Sequence, residues 1–106
     1  MKPLKGSKNI EMLFNTGKKV SSSFLHCVYV LNQNRDFRFV VSVPKKNFSL
    51  AVDRNKIKRL MREIIRKSGD DLVVSGGWFM FVYSSDKAVP FLDIENDFAF
   101  LLRKIV

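Results

Sequence analysis

Cys27 is the only cysteine in the chain, so no internal disulfide can close, and one thiolate cannot by itself build a zinc site. The longest apolar runs are far too short to span a bilayer. The opening Met1-Lys2-Pro3-Leu4-Lys5-Gly6 is basic but lacks the apolar core of a signal peptide. These absences set the expectation of a cytoplasmic protein with no membrane partner. Gly76-Gly77 is not followed by the Lys-Ser/Thr of a phosphate-cradling loop. His26 and Cys27 are adjacent in a strand-like segment, where neighbours point to opposite faces, so they make a poor nucleophile–base pair. Asp93, Glu95 and Asp97 read as acids near a helix start rather than as a cation site. The side chains offer no catalytic constellation, and no metal or cofactor bound by the protein alone is expected.

What the chain has is enough apolar material for one core. Hydrophobic residues make up 46% of its 106 residues, ten of them Phe. That composition and length suit a single globular domain over residues 1–106, with no repeat, low-complexity tract or linker. The formal charge is +9, and it is unevenly placed. Residues 1–67 hold 16 Lys+Arg against 4 Asp+Glu, a net +12, whereas residues 68–106 hold 3 against 6, a net −3. A basic excess confined to one part of a chain points to a dedicated polyanion-binding surface.

The element pattern is helix, strands, helix, strand, helix. Ser7 to Thr16 places Ile10, Leu13 and Phe14 on one helical face, with Ser7 able to cap the start and Gly17 at the C-cap. A short strand is expected within Lys18–Ser23, and Phe24 to Leu31 reads as a full strand. The turn cluster at 32–36 leads into a second clear strand, Phe37 to Val43, and the pair predicts a hairpin. Pro44 ends that strand and opens a basic loop, Lys45 to Ser49. Leu50 to Ser68 has the strongest helical pattern, stopped by residues 69–71. A short extended piece at 72–74 and a bend or bulge at Gly76-Gly77 precede the apolar strand Trp78 to Tyr83. Its aromatics read mostly as core, with one alternating face able to touch nucleic acid. Leu92 to Ile105 forms a last helix, acidic near its start and basic near its end, which suits the helix dipole. This order implies an α+β two-layer sandwich, one sheet carrying helices.

The third-quarter helix carries the functional signal. At 100° per residue, Ile57, Leu60, Met61, Ile64 and Ile65 form a buried stripe. Arg54, Asn55, Lys58, Arg59, Arg62 and Arg66 share an arc of about 140°, and Lys56 and Lys67 lie beyond it beside Glu63. Arg54, Lys58, Arg62 and Arg66 repeat at i, i+4, where like charges oppose the helix by a few tenths of a kcal/mol per pair. Glu63, four residues after Arg59, offers the local relief. A polyanion turns this repulsion into binding by displacing condensed counterions, and the planar guanidinium suits phosphate. Asn55 can reach a sugar or a base edge, or serve as a local cap or a support for Arg54. Lys45 and Lys46, just before the helix, extend the basic face.

These segments resemble the protein component of bacterial ribonuclease P. The resemblance rests on Val41-Ser42-Val43-Pro44-Lys45-Lys46 and on Ala51-Val52-Asp53-Arg54-Asn55-Lys56-Ile57-Lys58-Arg59-Leu60-Met61-Arg62-Glu63. Leu4-Lys5-Gly6-Ser7, Leu13-Phe14, Gly17 and Val20 also fit the family's opening. The resemblance covers nearly the whole chain and is loose after Ser68. It implies an N-terminal helix followed by β-β-β-α-β-α, similar to ribosomal protein S5 domain 2, with a left-handed crossover. It implies removal of the 5′ leader from precursor tRNA by a 1:1 ribonucleoprotein in which the RNA subunit, with magnesium, does the chemistry. It carries Arg54, Asn55, Lys58, Arg59 and Arg62 over to the RNA-facing motif, to which the charge pattern adds Lys45, Lys46, Lys56 and Arg66 as RNA-binding residues, and it places Phe14 and Val28 in a cleft that holds the leader. Four positions depart from the family's usual residues: Lys56 for a second arginine, Pro44 for serine, Ile10 for an aromatic and Val28 for a tyrosine. Two other readings stand beside this one. A ribosomal or other structural RNA-binding protein would share the fold, and a DNA-binding module would be an all-helical bundle around its recognition helix.

Overall fold

The most apolar strand of the chain becomes the middle of its sheet. The computed structural model describes residues 2–31, 37–68 and 76–105. Its elements are β1 (Lys2–Pro3), α1 (Ser7–Thr16), β2 (Lys18–Ser21), β3 (Leu25–Leu31), β4 (Phe37–Ser42), α2 (Ala51–Ser68), β5 (Gly77–Tyr83) and α3 (Phe91–Ile105). The sheet order is β1-β4-β5-β3-β2. β5, Gly-Trp-Phe-Met-Phe-Val-Tyr, is apolar on both faces, as a strand covered on both sides must be. The expected turn at 32–36, the helix stop at 69–71 and the extended piece at 72–74 lie outside the described residues.

The predicted hairpin of β3 and β4 does not form. β5 lies between them, antiparallel to β3 from Leu25↔Tyr83 to Leu31↔Gly77 and parallel to β4 from Phe37↔Gly77 to Ser42↔Val82. A short connection favours pairing neighbours, but burying the most apolar strand at the centre covers more surface, and that non-local term wins. Parallel pairing of β4 with β5 makes α2 the crossover between them. Gly77, read as part of a bend or bulge, already pairs with Leu31 and Phe37 as the first residue of β5. β1, two residues long, adds a parallel edge beside β4 that no sequence pattern announced.

Strand alternation sorts side chains into two cores. One face of the sheet presents Leu25, Cys27, Tyr29, Phe39, Val41, Phe79, Phe81 and Tyr83 to the apolar stripes of α2 and α3. This is the sandwich. The other face presents Val28, Met80 and Val82, covered by Leu4 and by Leu13 of α1, with Ile10, Val40 and Trp78 at the margin. α1 is a short lid on this face, and Leu13 is its one fully buried residue.

The ends of α1 differ from expectation. Ser7 makes no capping bond; the N-cap position is Gly6, at φ 96°, a conformation that suits glycine alone. Gly17 closes the helix as expected, its N–H donating to the Leu13 carbonyl at 2.8 Å. Yet it is extended, at φ −73°, so a left-handed cap is not why glycine stands there. A Cβ at Gly17 would lie 2.6 Å from both the Leu13 carbonyl oxygen and Val28 Cγ1. Glycine at this point is what lets α1 turn directly into β2 against β3.

Candidate nucleic-acid interface

α2 presents the arrangement its sequence pattern implies. Ile57, Met61, Ile64 and Ile65 are buried, and Leu60 is half-buried against the same core. Asn55, Lys56, Arg59, Arg62 and Arg66 are exposed, and Lys58 is half-buried. None of these six makes an ion pair or side-chain hydrogen bond to any described residue. Glu63 does not relieve Arg59, because no ion pair joins them among the described residues. Lys67, beyond the basic face, instead pairs with Glu95 of α3, 3.2 Å away at the surface. An exposed pair of this kind stabilises little.

Arg54 stands apart. Its guanidinium donates to the Phe48 carbonyl at 2.8 Å and the Ser49 carbonyl at 2.9 Å. It is half-buried and ties down the loop that leads from Pro44 into α2. Asn55, weighed as its support, makes no such bond among the described residues. Lys45 and Lys46 are exposed in the turn that Pro44 closes, where the Pro44 carbonyl accepts from the N–H groups of Asn47 (3.2 Å) and Phe48 (3.4 Å). The loop cations therefore sit on a braced segment next to the first turn of α2.

The face under α1 holds a second set of groups. Phe14 is 51% exposed on α1, and the Lys19 ammonium lies 5.0 Å from its ring centroid. Cation and ring at this distance attract. Val28 does lie on this face, but at 1% exposure beneath Leu13 it offers no surface for stacking. Val28, expected to line a leader cleft, is thus covered by α1 rather than presented to a ligand. Tyr29, its neighbour, faces the opposite core and stacks along Phe79. Register places Arg38, Trp78 and Val30 in a row across this same face, with Trp78 half-buried and Val30 exposed. Phe79, Phe81 and Tyr83 lie in the opposite core, so Trp78 is the β5 aromatic on this side of the sheet. Lys19 and Arg38 were not singled out in the sequence; only strand parity, with the pairing known, would have placed them here.

Asp97 has a structural task that the sequence hid. It is 8% exposed in α3 and accepts from Ser22 Oγ at 2.6 Å, Ser23 N at 3.0 Å and Phe24 N at 2.9 Å. It therefore clamps the β2–β3 turn rather than serving the helix dipole. Cys27 is fully buried, and desolvation pushes its thiol well above the usual range despite a backbone hydrogen bond from the Met80 peptide. Its thiolate is not available for chemistry. No helix among the described residues is long and apolar enough to cross a membrane.

Comparison with known proteins gives a consistent answer. The family described as Ribonuclease P matches residues 1–106. The ribonuclease P protein component of Syntrophomonas wolfei is 36% identical over 103 residues, covering 95% of this chain and 84% of that one. The same component of Nitrosococcus oceani is 41% identical over 71 residues, 62% of this chain and 60% of the relative. The solved structure of the RNase P protein from Thermotoga maritima shares the fold with a TM-score of 0.85, covering 100% of this chain and 99% of that chain at 22% identity.

Proposed function

Because this chain belongs to the ribonuclease P protein family, the protein subunits of an endoribonuclease that matures the 5′ ends of tRNA, we propose how its surface divides that task. Ribonuclease P RNA is the partner. The α2 face of Asn55, Lys56, Lys58, Arg59, Arg62 and Arg66, continued by Lys45 and Lys46, binds that RNA. Arg54 contributes chiefly by holding the loop. The α1 face, with Phe14 above the floor that Val28 supports, takes the single-stranded leader of precursor tRNA. Base stacking on an exposed ring is sequence-tolerant, which suits a leader of variable sequence. One protein serves one RNA, in the cytoplasm.

The observation that carries this reading is the uncommitted cationic face of α2. Guanidinium groups with no partner among the described residues break no intramolecular bond when phosphate replaces water around them, and each contact releases condensed counterions. Magnesium belongs to the RNA subunit in this scheme. Among the described residues no group of three His, Cys, Asp or Glu side chains stands ready to hold a cation. The protein supplies binding and orientation.

The test is reconstitution. The purified chain is mixed with a bacterial ribonuclease P RNA at low magnesium, and cleavage of precursor tRNA is followed. Stimulated cleavage, and tighter binding of precursor than of mature tRNA, are expected. Unstimulated cleavage would remove the proposal's main support. A purely structural RNA-binding role, the second reading, predicts RNA binding with no stimulation.

A further inference from the structure

On the α1-facing side of the sheet, three side chains of different chemistry meet near the outer strand. Register sets Lys19 opposite Val28 and Ser21 opposite His26, so Lys19 and His26 are diagonal neighbours on one face. Diagonal neighbours in an antiparallel pair lie about 7–8 Å apart. Phe14 reaches down from α1 to bring its exposed ring beside the Lys19 ammonium. His26 is half-buried, with Ser21 on one side and Val82 of β5 on the other. The charged residues of α1, Lys8 and Glu11, are both exposed. Burial first, and Lys19 second, hold the His26 imidazole below the ordinary histidine range; no other charged group is among the causes.

The cluster thus contains a cation, a neutral imidazole able to become a second cation, and a ring for stacking, with no carboxylate pairing either basic group among the described residues. We propose that Lys19 and His26 form a phosphate-binding pair for the backbone of a single strand, with Phe14 stacking a base, and that His26 takes up a proton from solvent as the phosphate enters. The inference rests on reading the α1 face as the leader cleft. The proton step is simple acid–base exchange. A solvent proton adds to the free ring nitrogen, the resulting imidazolium donates to a phosphate oxygen, and no other bond changes. The phosphate offsets both burdens on the charged ring, since it replaces lost hydration and counters Lys19. Protonation and binding therefore favour each other.

His26 is the only histidine in the chain, so its imidazole signals in a proton NMR titration are unambiguous. The full-length chain is titrated with pH alone and again when saturated with single-stranded pentauridylate. The His26 midpoint is expected to rise on saturation. Pentamer affinity should fall with rising pH by up to about tenfold per unit between the two midpoints, the limit for one linked proton. Two variants refine the test. H26Q should bind with an affinity independent of pH over that window. K19Q should weaken binding and raise the midpoint of the free protein. A folded H26Q spectrum excludes unfolding as the cause. An unmoved midpoint, with Phe14 and Lys19 signals shifted by the pentamer, overturns the proton step and leaves the cleft reading in place. If no signal of the α1 face shifts at saturation, both fall.

Discussion

Asp97 shows how much one side chain can hold. Its carboxylate satisfies the Ser22 hydroxyl and two backbone N–H groups in the turn between β2 and β3. Replacing it with alanine strands those donors in a part-buried site. Asp97→Ala is expected to lower stability by about 2–3 kcal/mol, the usual cost of leaving such groups unpaired, as read from urea denaturation. Because β2 carries Lys19, loosening this turn should also weaken single-strand binding more than binding through α2. A stability loss within error would mean the turn holds without its clamp. Arg54 makes the complementary point. It was grouped with the RNA-facing cations because it shares their arc on the helical wheel, yet its hydrogen bonds go to Phe48 and Ser49. Position on a wheel reports direction, not commitment.

At the scale of elements, α2 and α1 should fail in different ways. Arg59→Ala or Arg62→Ala removes an exposed cation with no partner among the described residues, so fold stability should stay within about 0.5 kcal/mol. RNA affinity should drop, and the slope of log affinity against log salt should flatten by about one unit for each lost phosphate contact. An unchanged slope would place the RNA elsewhere. α1 depends on Leu13, which is 1% exposed. A helix of ten residues is marginal without docking. Leu13→Ala is expected to cost about 2–4 kcal/mol and to speed hydrogen exchange in α1. Leader-dependent affinity should fall while binding through α2 survives. Equal loss at both surfaces would show that they are not separable.

The elements themselves were largely legible in sequence. α2 and α3 could be read because their apolar stripes recur with helical period, and that same stripe identified the cationic face by exclusion. Strand pairing could not be read, since β5 takes its central place only after a crossover that local turn signals do not encode. The fate of Val28 follows from that limit: alternation gives its face, but only the docking of Leu13 reveals that it is covered. Lys19 and His26 likewise gain meaning once β2 is seen beside β3.

As a whole molecule, the protein keeps its two proposed binding faces on opposite sides of one sheet, and both lean on the same strand. Phe79, Phe81 and Tyr83 support the α2–α3 side, while Met80 and Val82 support the α1 side. That shared dependence sets an order of assembly. β3 and β4 share no bonds with each other and meet only through β5, which lies dozens of residues downstream. On a ribosome, synthesis at roughly 5–20 residues per second makes β2, β3, β4 and the whole of α2 before β5. Until β5 arrives, the sheet on which the most cationic helix packs lacks its central strand. The net acidic stretch from residue 68 onward brings the strand that completes the sheet, so the basic helix acquires its final orientation only when the least basic part of the chain arrives.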